Sequence, residues 1–365
     1  MVVASHISSY HAELLGPAGV AIFFLLSGYL ITSLLLKEQD RWGQVSQPAF
    51  YGRRALRLFP ALLLVVVLTP LLLWLVDDPR LGSILGGLLE TLFYVQDFAS
   101  ATGHFGVTPH AWSLSVEEQF YLIWPLSLGL LLHSVRGDRR RLTRAVAAAF
   151  AVAALWHVIA TALLSYNWTY YAPDSNAVFL LGGCALATSL RSSRTLSVSR
   201  PVAMTALVAV CLLPLMLTRI PFEEWRLTTL LMFPVALAGA VVVLGARHLR
   251  VLDLRVLGWF GTISYGLYLW NYILISLEPH GRLLTGRERM LAAAAAIGFA
   301  AASWYLVESP ILRLKKRYQR LPDGIMNSEA TAEPATEPAT EPATAPRRSS
   351  PPPRPDPLPW LPPVS

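Results

Sequence analysis

The sequence has few charged residues and very few cysteines for its length. Only 15% of its 365 residues are charged, whereas 54% are hydrophobic, a balance typical of polytopic membrane proteins. The two cysteines, Cys184 and Cys211, both lie in apolar runs, where a thiol usually serves as a small hydrophobic side chain. No His, Cys or carboxylate cluster has the spacing of metal ligands. The sequence therefore implies neither a disulfide framework nor a metal site.

The positive charge of the chain does not indicate a nucleic-acid partner. The formal net charge is +7, but the basic residues form short clusters between apolar runs. Such clusters orient membrane spans, because cytoplasmic loops are enriched in Lys and Arg. We therefore expect the partner to be a lipid bilayer and not a nucleic acid.

Apolar runs of nearly bilayer-crossing length recur along the chain and predict an all-α, polytopic integral membrane protein. A fragment of one further span occupies 1–10. The runs lie near 17–36, 58–76, 119–135, 145–164, 176–190, 201–218, 228–246, 260–277 and 289–307.

The distribution of charge decides how the shorter apolar stretch at 81–95, which contains Glu90, is interpreted. If 81–95 crossed the bilayer, the arginine-rich loop 136–144 would lie outside the cell, against the positive-inside rule. A re-entrant or interfacial 81–95 instead puts every basic loop on the cytoplasmic side. This topology predicts about ten spans in the plasma membrane, with both termini cytoplasmic and Trp112 on the outer face. The basic loops are 37–57, 136–144, 191–200, 247–255 and 313–320.

The composition changes near residue 319, which divides the chain into a membrane domain, 1–318, and a tail, 319–365. The tail contains Glu-Pro-Ala-Thr three times between 333 and 344 and further prolines beyond it. Such a segment buries too little apolar area to fold, so we expect a disordered, Pro-rich cytoplasmic tail. A second interpretation is a Pro-rich ligand for an aromatic-lined groove on a partner.

Two adjacent carboxylates, Glu117 and Glu118, precede the apolar run that begins at Phe120. An acid at the edge of a membrane span is costly and marks a candidate functional site. Glu118 has a simpler explanation, because Ser115 and Glu118 have the spacing of a helix capping box. Glu117, which lies within the stretch from Trp112 to Pro125, is the functional candidate.

Five stretches taken together resemble the membrane acyltransferase-3 family, polytopic enzymes that acylate sugars, envelope polymers and some macrolides. Each stretch alone is weak, because Phe, Leu and Gly are common in membrane helices. The resemblance depends on their order along residues 1–318. The stretches are Gly19 to Thr32, Phe50 to Pro60, Trp112 to Pro125, Gly261 to Trp270 and Tyr305 to Pro310.

The resemblance implies an O-acyltransferase that moves a short acyl group, acetyl above all, from acyl-coenzyme A to a hydroxyl of a carbohydrate or glycosylated natural product. His6 matches the essential histidine of the family, and His11 is the alternative. An imidazole suits general-base catalysis, because its ordinary pKa lies near neutrality. A carboxylate fixes the tautomer of such a base, and the resemblance offers Glu117 for that role. Acyl-coenzyme A is a co-substrate, and no bound cofactor is expected.

Further candidates line the donor and acceptor sides. Arg53, Arg54 and Arg57 fit the phosphates of coenzyme A, since a guanidinium binds phosphate well; positive charge demanded by membrane insertion explains them equally. An acceptor pocket is expected from Trp112, Gln119 and Tyr121, although aromatic residues at a membrane interface are often simple anchors. We interpret Tyr265, Tyr268 and Trp270 as helix-packing residues or as aromatic anchors at the membrane interface.

Two alternatives stay open. A proton-coupled transporter also uses intramembrane acids and histidines, but the repeated halves typical of transporters are not found in this sequence. An inactive, N-terminally truncated homologue is the second alternative. Residues 1–10 as a helix span about 15 Å, about half of a bilayer, so we expect an upstream start that completes the first span. Ala21 and Asn271 replace an aspartate and a histidine that are common in the family.

Overall fold

The computed structural model describes residues 15–192 and 198–313, which form helices joined by turns and short irregular connections and contain no strand. The all-α class predicted from the apolar runs is therefore confirmed. His6, His11 and the tail 319–365 lie outside the described residues. The α-helices are, in order, α1 (Leu15–Trp42), α2 (Gln47–Leu75), α3 (Ile84–Leu92), α4 (Gln96–Ala101), α5 (Trp112–Ser134), α6 (Arg139–Leu163), α7 (Tyr166–Tyr171), α8 (Pro173–Ser192), α9 (Arg200–Leu217), α10 (Trp225–Leu230), α11 (Met232–Gly245), α12 (Arg255–Ile275), α13 (Gly286–Ser303) and α14 (Ser309–Leu312).

Several of these helices have the length and composition of membrane spans. Five described helices are each long and apolar enough to cross a membrane. A sixth span results if Phe222–Leu230 and Met232–Gly245, which are bent by 41° relative to each other, form one span. The helices α5, α8 and α12 also have 20 or more residues but fall outside that set. A multi-pass membrane protein is supported, whereas the ten predicted spans are more than this set contains. The five are Gly16–Trp42, Gln47–Leu75, Arg139–Leu163, Arg200–Leu217 and Gly286–Leu312.

The helices begin earlier than the apolar runs that predict them. The run at 58–76 belongs to α2, which begins at Gln47, and the run at 119–135 belongs to α5, which begins at Trp112. Both extensions contain charged residues that find partners inside the bundle, so the helix continues past the apolar sequence. The stretch 81–95 forms the short helix α3 after a 3₁₀ turn, Pro79–Ser83.

Two glycines allow α1 and α8 to pack with their backbones in close contact. A Cβ atom at Gly28 would overlap the carbonyl oxygen of Leu180, and one at Gly183 would overlap the carbonyl oxygen of Leu25. Small residues at such crossings are typical of membrane helix pairs. This packing fixes α1, and with it Ser27, relative to the rest of the bundle.

Contacts between helix ends show which connections share an end of the bundle. Asp40, near the end of α1, forms ion pairs with Arg139, at the start of α6, and Arg191, at the end of α8. At the other end of α6, Tyr171 packs against Phe105 and Tyr166 packs against Phe222, with ring centroids 5.6 and 5.1 Å apart. Three of the basic loops therefore lie together, as the charge pattern predicts.

Candidate active site

The two adjacent carboxylates lie within α5 and not at its first turn. The helix begins at Trp112, and the Ser115 hydroxyl donates to the carbonyl of Ala111, 3.2 Å away. The capping-box interpretation of Glu118 is therefore wrong, because a capping residue stands at the start of a helix and Ser115 lies inside α5. Glu117 and Glu118 lie in the second turn of α5. There the Glu117 side chain contacts α1 and the Glu118 side chain contacts α2.

Glu117 is buried, with 6% of the residue exposed, and a single oxygen atom carries its hydrogen bonds. Its Oε1 accepts from the Ser27 hydroxyl of α1 and from the Tyr121 hydroxyl one turn along α5, both at 2.6 Å. Hydrogen bonds to a charged acceptor are strong, and they offset part of the cost of burying it. No hydrogen bond to Oε2 occurs among the described residues.

Glu118 forms a two-pronged ion pair with Arg54 of α2. The Arg54 Nε atom donates to Oε1 and Oε2 of Glu118 at 3.1 and 2.9 Å, and Nη2 makes a further close contact with Oε1. The same Nη2 lies 3.8 Å from Oε1 of Glu117. The guanidinium also stacks on the ring of Tyr121, 3.4 Å from the ring centre, an arrangement that favours a cation. Two carboxylates thus share one described arginine.

The contact between Arg54 and Glu117 corrects the sequence-based prediction, which puts the two residues on opposite sides of the membrane. The charge pattern predicts Arg54 on the cytoplasmic side and Glu117 on the outer side. In the structure α2 and α5 run antiparallel, since Gln47 donates to the carbonyl of Pro125 and Tyr51 to that of Leu122. Because both helices start before their apolar runs, the two charged turns overlap inside the bundle.

The other two candidate arginines have different surroundings. Arg53 forms an ion pair with Glu38 of α1, 3.2 Å apart. Arg57 lies over the ring of Trp304, with its guanidinium carbon 5.7 Å from the ring centre. Trp304 opens a π-helical turn, Trp304–Glu308, whose Glu308 is buried and accepts from Ser303. π-Helical turns are rare and frequently occur at functional sites.

The three residues expected in an acceptor pocket separate into two places. Gln119 and Tyr121 line a cavity of about 290 Å³ between α2 and α5, hereafter the α2–α5 cavity. Trp112 instead packs among Phe24, Tyr170 and Tyr171, with ring centroids 4.9 to 6.0 Å away. That aromatic cluster lies beside the connections 103–105 and 166–172, at the bundle end away from Asp40.

Residues that the sequence analysis does not single out complete the site. Ser27 is a small polar residue in an apolar run, and only the contact with Glu117 reveals its role. Tyr94, which lines the α2–α5 cavity, has a φ of 54°, uncommon for a residue other than glycine. Its carbonyl accepts from Gln119 at 2.8 Å, and Gln119 also donates to Asp97. Strained residues of this kind concentrate at functional sites.

Comparison with known proteins gives a family and several relatives. A model described as an acyltransferase domain, that of the acyltransferase-3 family, matches residues 1–308. The chain is 29% identical to peptidoglycan O-acetyltransferase OatA of Listeria monocytogenes over 344 residues, which cover 85% of this chain and 53% of that protein. It is 31% identical to putative peptidoglycan O-acetyltransferase YrhL of Bacillus subtilis over 288 residues, 72% of this chain and 45% of that protein.

The matched region covers only part of each relative. O-acetyltransferase OatA of Staphylococcus aureus is 30% identical over 283 residues, 71% of this chain and 46% of that protein. The chain thus spans about half the length of the curated relatives it matches. No solved structure matches this chain. Because the family model covers more than half of the chain, from the first residues through Glu308, the protein belongs to the membrane acyltransferase-3 family.

Proposed function

We propose that this protein is a membrane O-acyltransferase that moves a short acyl group, acetyl above all, from acyl-coenzyme A to a hydroxyl of a carbohydrate or glycosylated natural product. The observation that carries this proposal is the buried Glu117, whose Oε1 is fixed by Ser27 and Tyr121. Its Oε2, which accepts no hydrogen bond from the described residues, is then the atom for an imidazole. Family membership and the names of the relatives support the proposal.

In the proposed reaction His6 is the general base and Glu117 its orienting partner. His6 takes the proton of the acceptor hydroxyl, and the hydroxyl oxygen attacks the thioester carbonyl. The new C–O ester bond forms, the C–S bond breaks, and the imidazolium returns its proton to the departing thiolate. Glu117 stabilises the imidazolium through a hydrogen bond from the second ring nitrogen.

We assign different roles to the three arginines on the donor side. Arg54 lies between Glu117 and Glu118 and stacks on Tyr121, so we assign it to holding α2 against α5 beside the reaction centre. Arg57 and Arg53 are then the arginines proposed to attract the phosphates of coenzyme A, and Arg53 would have to share its guanidinium with Glu38. Both arginines lie toward the start of α2, the end of the helix that bears the basic connection.

The acceptor side is proposed at the opposite end of the bundle, beside Trp112. Trp112 is buried, but Tyr170 and Tyr171 of its cluster are partly exposed. Two of the relatives are named as peptidoglycan O-acetyltransferases. A carbohydrate polymer of the cell envelope is therefore the first acceptor to test. Gln119 and Tyr121 belong to the reaction centre, because they adjoin Glu118 and Glu117.

The proposed topology keeps ten spans in the plasma membrane, with 81–95 re-entrant or interfacial and both termini cytoplasmic. The gathering of three basic connections around Asp40 at one end of the bundle supports it. This arrangement gives cytoplasmic donor access to Arg53 and Arg57 and leaves Trp112 on the outer side.

The proposal is tested with purified protein in lipid vesicles, radiolabelled acetyl-coenzyme A and a panel of hydroxyl acceptors that includes peptidoglycan fragments. We expect a labelled ester on at least one carbohydrate. His6→Ala should lower the rate on the order of 10² to 10⁴-fold, and combining it with Glu117→Gln should add little, because the two act as one unit. Normal transfer by His6→Ala would move the base to His11, and no transfer to any acceptor would overturn the proposal.

A further inference from the structure

The α2–α5 cavity lies beside the candidate reaction centre and is much larger than an acetyl group. Its volume is about 290 Å³, whereas a cavity that holds one water molecule needs only about 10–15 Å³ by the same kind of measure. The cavity therefore has room for a chain of several carbons. It is lined by Tyr51, Arg54, Ala55, Leu58, Phe59, Phe93, Tyr94, Glu118, Gln119, Tyr121 and Leu122.

Most polar side chains of this lining are engaged in hydrogen bonds or an ion pair; the Tyr94 hydroxyl is buried and has no hydrogen bond among the described residues. Arg54 and Glu118 bind each other, and Gln119 donates to Tyr94 and Asp97. The hydroxyl of Tyr51 donates to the carbonyl of Leu122, 2.8 Å away. A sugar placed here would lose hydrogen bonds to water without replacing them, which is unfavourable.

The remaining wall is apolar and suits a hydrocarbon. Ala55, Leu58 and Phe59 present one face of α2, Leu122 comes from α5, and Phe93 follows α3. Burial of apolar surface against such a wall is favourable roughly in proportion to its area. The occupant favoured by this lining is therefore a hydrocarbon chain.

The position of Tyr121 favours the acyl chain of the donor as this hydrocarbon. Its ring lines the cavity, while its hydroxyl donates to Oε1 of Glu117. A thioester carbonyl that reacts beside Glu117 must carry its acyl chain into a neighbouring space, and this cavity is adjacent.

We propose that the α2–α5 cavity holds the acyl chain of the donor, so that the protein transfers chains of several carbons as well as acetyl, with Ala55 and Leu58 setting the length limit. This inference rests on the proposed acyl-transfer function. It extends that function to medium-chain acyl-coenzyme A donors, beyond the acetyl donors that the names of the relatives suggest.

The test compares acetyl-, butyryl-, hexanoyl- and octanoyl-coenzyme A as donors with one carbohydrate acceptor. For the native chain we expect kcat/KM with hexanoyl to lie within about tenfold of that with acetyl, because one methylene changes discrimination by about 10 to 200-fold only where a pocket is closely fitted. Ala55→Phe narrows the cavity and should lower the hexanoyl-to-acetyl ratio at least tenfold. Leu58→Ala enlarges it and should raise the octanoyl-to-acetyl ratio.

Val67→Phe is the matched control, since Val67 is an exposed residue of the same helix that does not line the cavity; its ratios should equal those of the native chain. The proposal is overturned if the native chain uses only acetyl, or if Ala55→Phe and Leu58→Ala change all donors by one common factor. A common factor would mean that the cavity holds a part shared by every donor, or a membrane lipid. Absence of acetyl transfer by the native chain would instead indicate failure of the proposed function.

Discussion

Arg54 is the residue on which the arrangement of charges at the candidate site depends. It is the described cation closest to both Glu117 and Glu118, and it connects α2 to α5. Removing one member of a partly buried ion pair leaves the other desolvated and unpaired, which costs about 3–5 kcal/mol. The packing of α2 against α5 therefore depends on this guanidinium.

We expect Arg54→Gln to lower the stability of the protein by about 3 kcal/mol, because Glu118 and Glu117 then lose their shared cation. Thermal unfolding in detergent micelles measures this change. The double variant Arg54→Gln with Glu118→Gln should recover much of the loss, since the unpaired carboxylate is also removed. Equal unfolding temperatures for the native chain and the single variant would count against the ion pair as a structural link.

Asp97 gives the site a pH-dependent stability. It lies in α4, between the long helices, and is fully buried. Burial raises its pKa to about 6, although hydrogen bonds from Gln119 and the backbone act in the opposite direction. A folded-state pKa above the ordinary 3.8 means that the folded protein binds the proton more tightly than the unfolded chain does. Stability is then highest below about pH 4 for this group and falls as the pH rises through 6.

We expect Asp97→Asn to remove this dependence, because an amide does not ionise. The shift from 3.8 to about 6 corresponds to roughly 3 kcal/mol, so the variant should be more stable than the native chain at pH 7.5 and nearly equal to it at pH 4. Thermal unfolding at a series of pH values is the measurement. Parallel curves for the two proteins across this range would show that Asp97 does not titrate as described.

At the scale of helices, the apolar runs predict where the helices lie but not where they start. The runs at 58 and 119 mark the parts of α2 and α5 that are apolar enough to be recognised. The charged turns before them are helical as well, and Arg54 and Glu118 pair there across the two helices. A partner on another helix is not visible in one stretch of sequence, which is why Glu118 resembles a capping residue.

The close packing of α1 on α8 positions Ser27 beside Glu117. We expect Gly28→Ala and Gly183→Ala each to separate the two helices and to weaken the contact between Ser27 and Glu117, since each new methyl group meets backbone atoms. Both variants should unfold at lower temperature and lose transfer activity.

Gly298→Ala provides the matched control, because Gly298 lies in α13 with open space around it. Alanine is favoured over glycine in a helix by up to about 1 kcal/mol, so this variant should be as stable as the native chain or slightly more stable. If Gly28→Ala and Gly298→Ala behave alike, the α1–α8 contact is not what positions Ser27.

At the scale of the whole molecule, the basic connections around Asp40 are expected on the cytoplasmic side. Single cysteines at His104 and Ser134 test this orientation in a chain whose exposed Cys211 is replaced by serine; both positions are exposed. A membrane-impermeant thiol reagent added outside intact cells should label His104→Cys alone. Labelling of Ser134→Cys from outside would contradict the proposed topology and the re-entrant 81–95.

The sequence predicts the class of the molecule and the family because both depend on composition and on ordered motifs. It also predicts Glu117 as a functional candidate, a role that stays a prediction. It does not predict that Arg54 and Glu117 meet, because charge patterning assigns sides to helix ends and contains no information on helix depth. Ser27, Tyr94 and the α2–α5 cavity arise from packing between distant segments.

The rate of acyl transfer by Glu117→Gln, measured against native protein with radiolabelled acetyl-coenzyme A, tests the central claim most directly. The amide oxygen can still accept from Ser27 and Tyr121, so the variant should fold while losing the carboxylate charge. Glu223→Gln, an exposed residue of a 3₁₀ turn, is the control and should retain the native rate. The account predicts a loss on the order of 10² to 10⁴-fold for Glu117→Gln alone, and a folded Glu117→Gln with a rate within about threefold of native would contradict it.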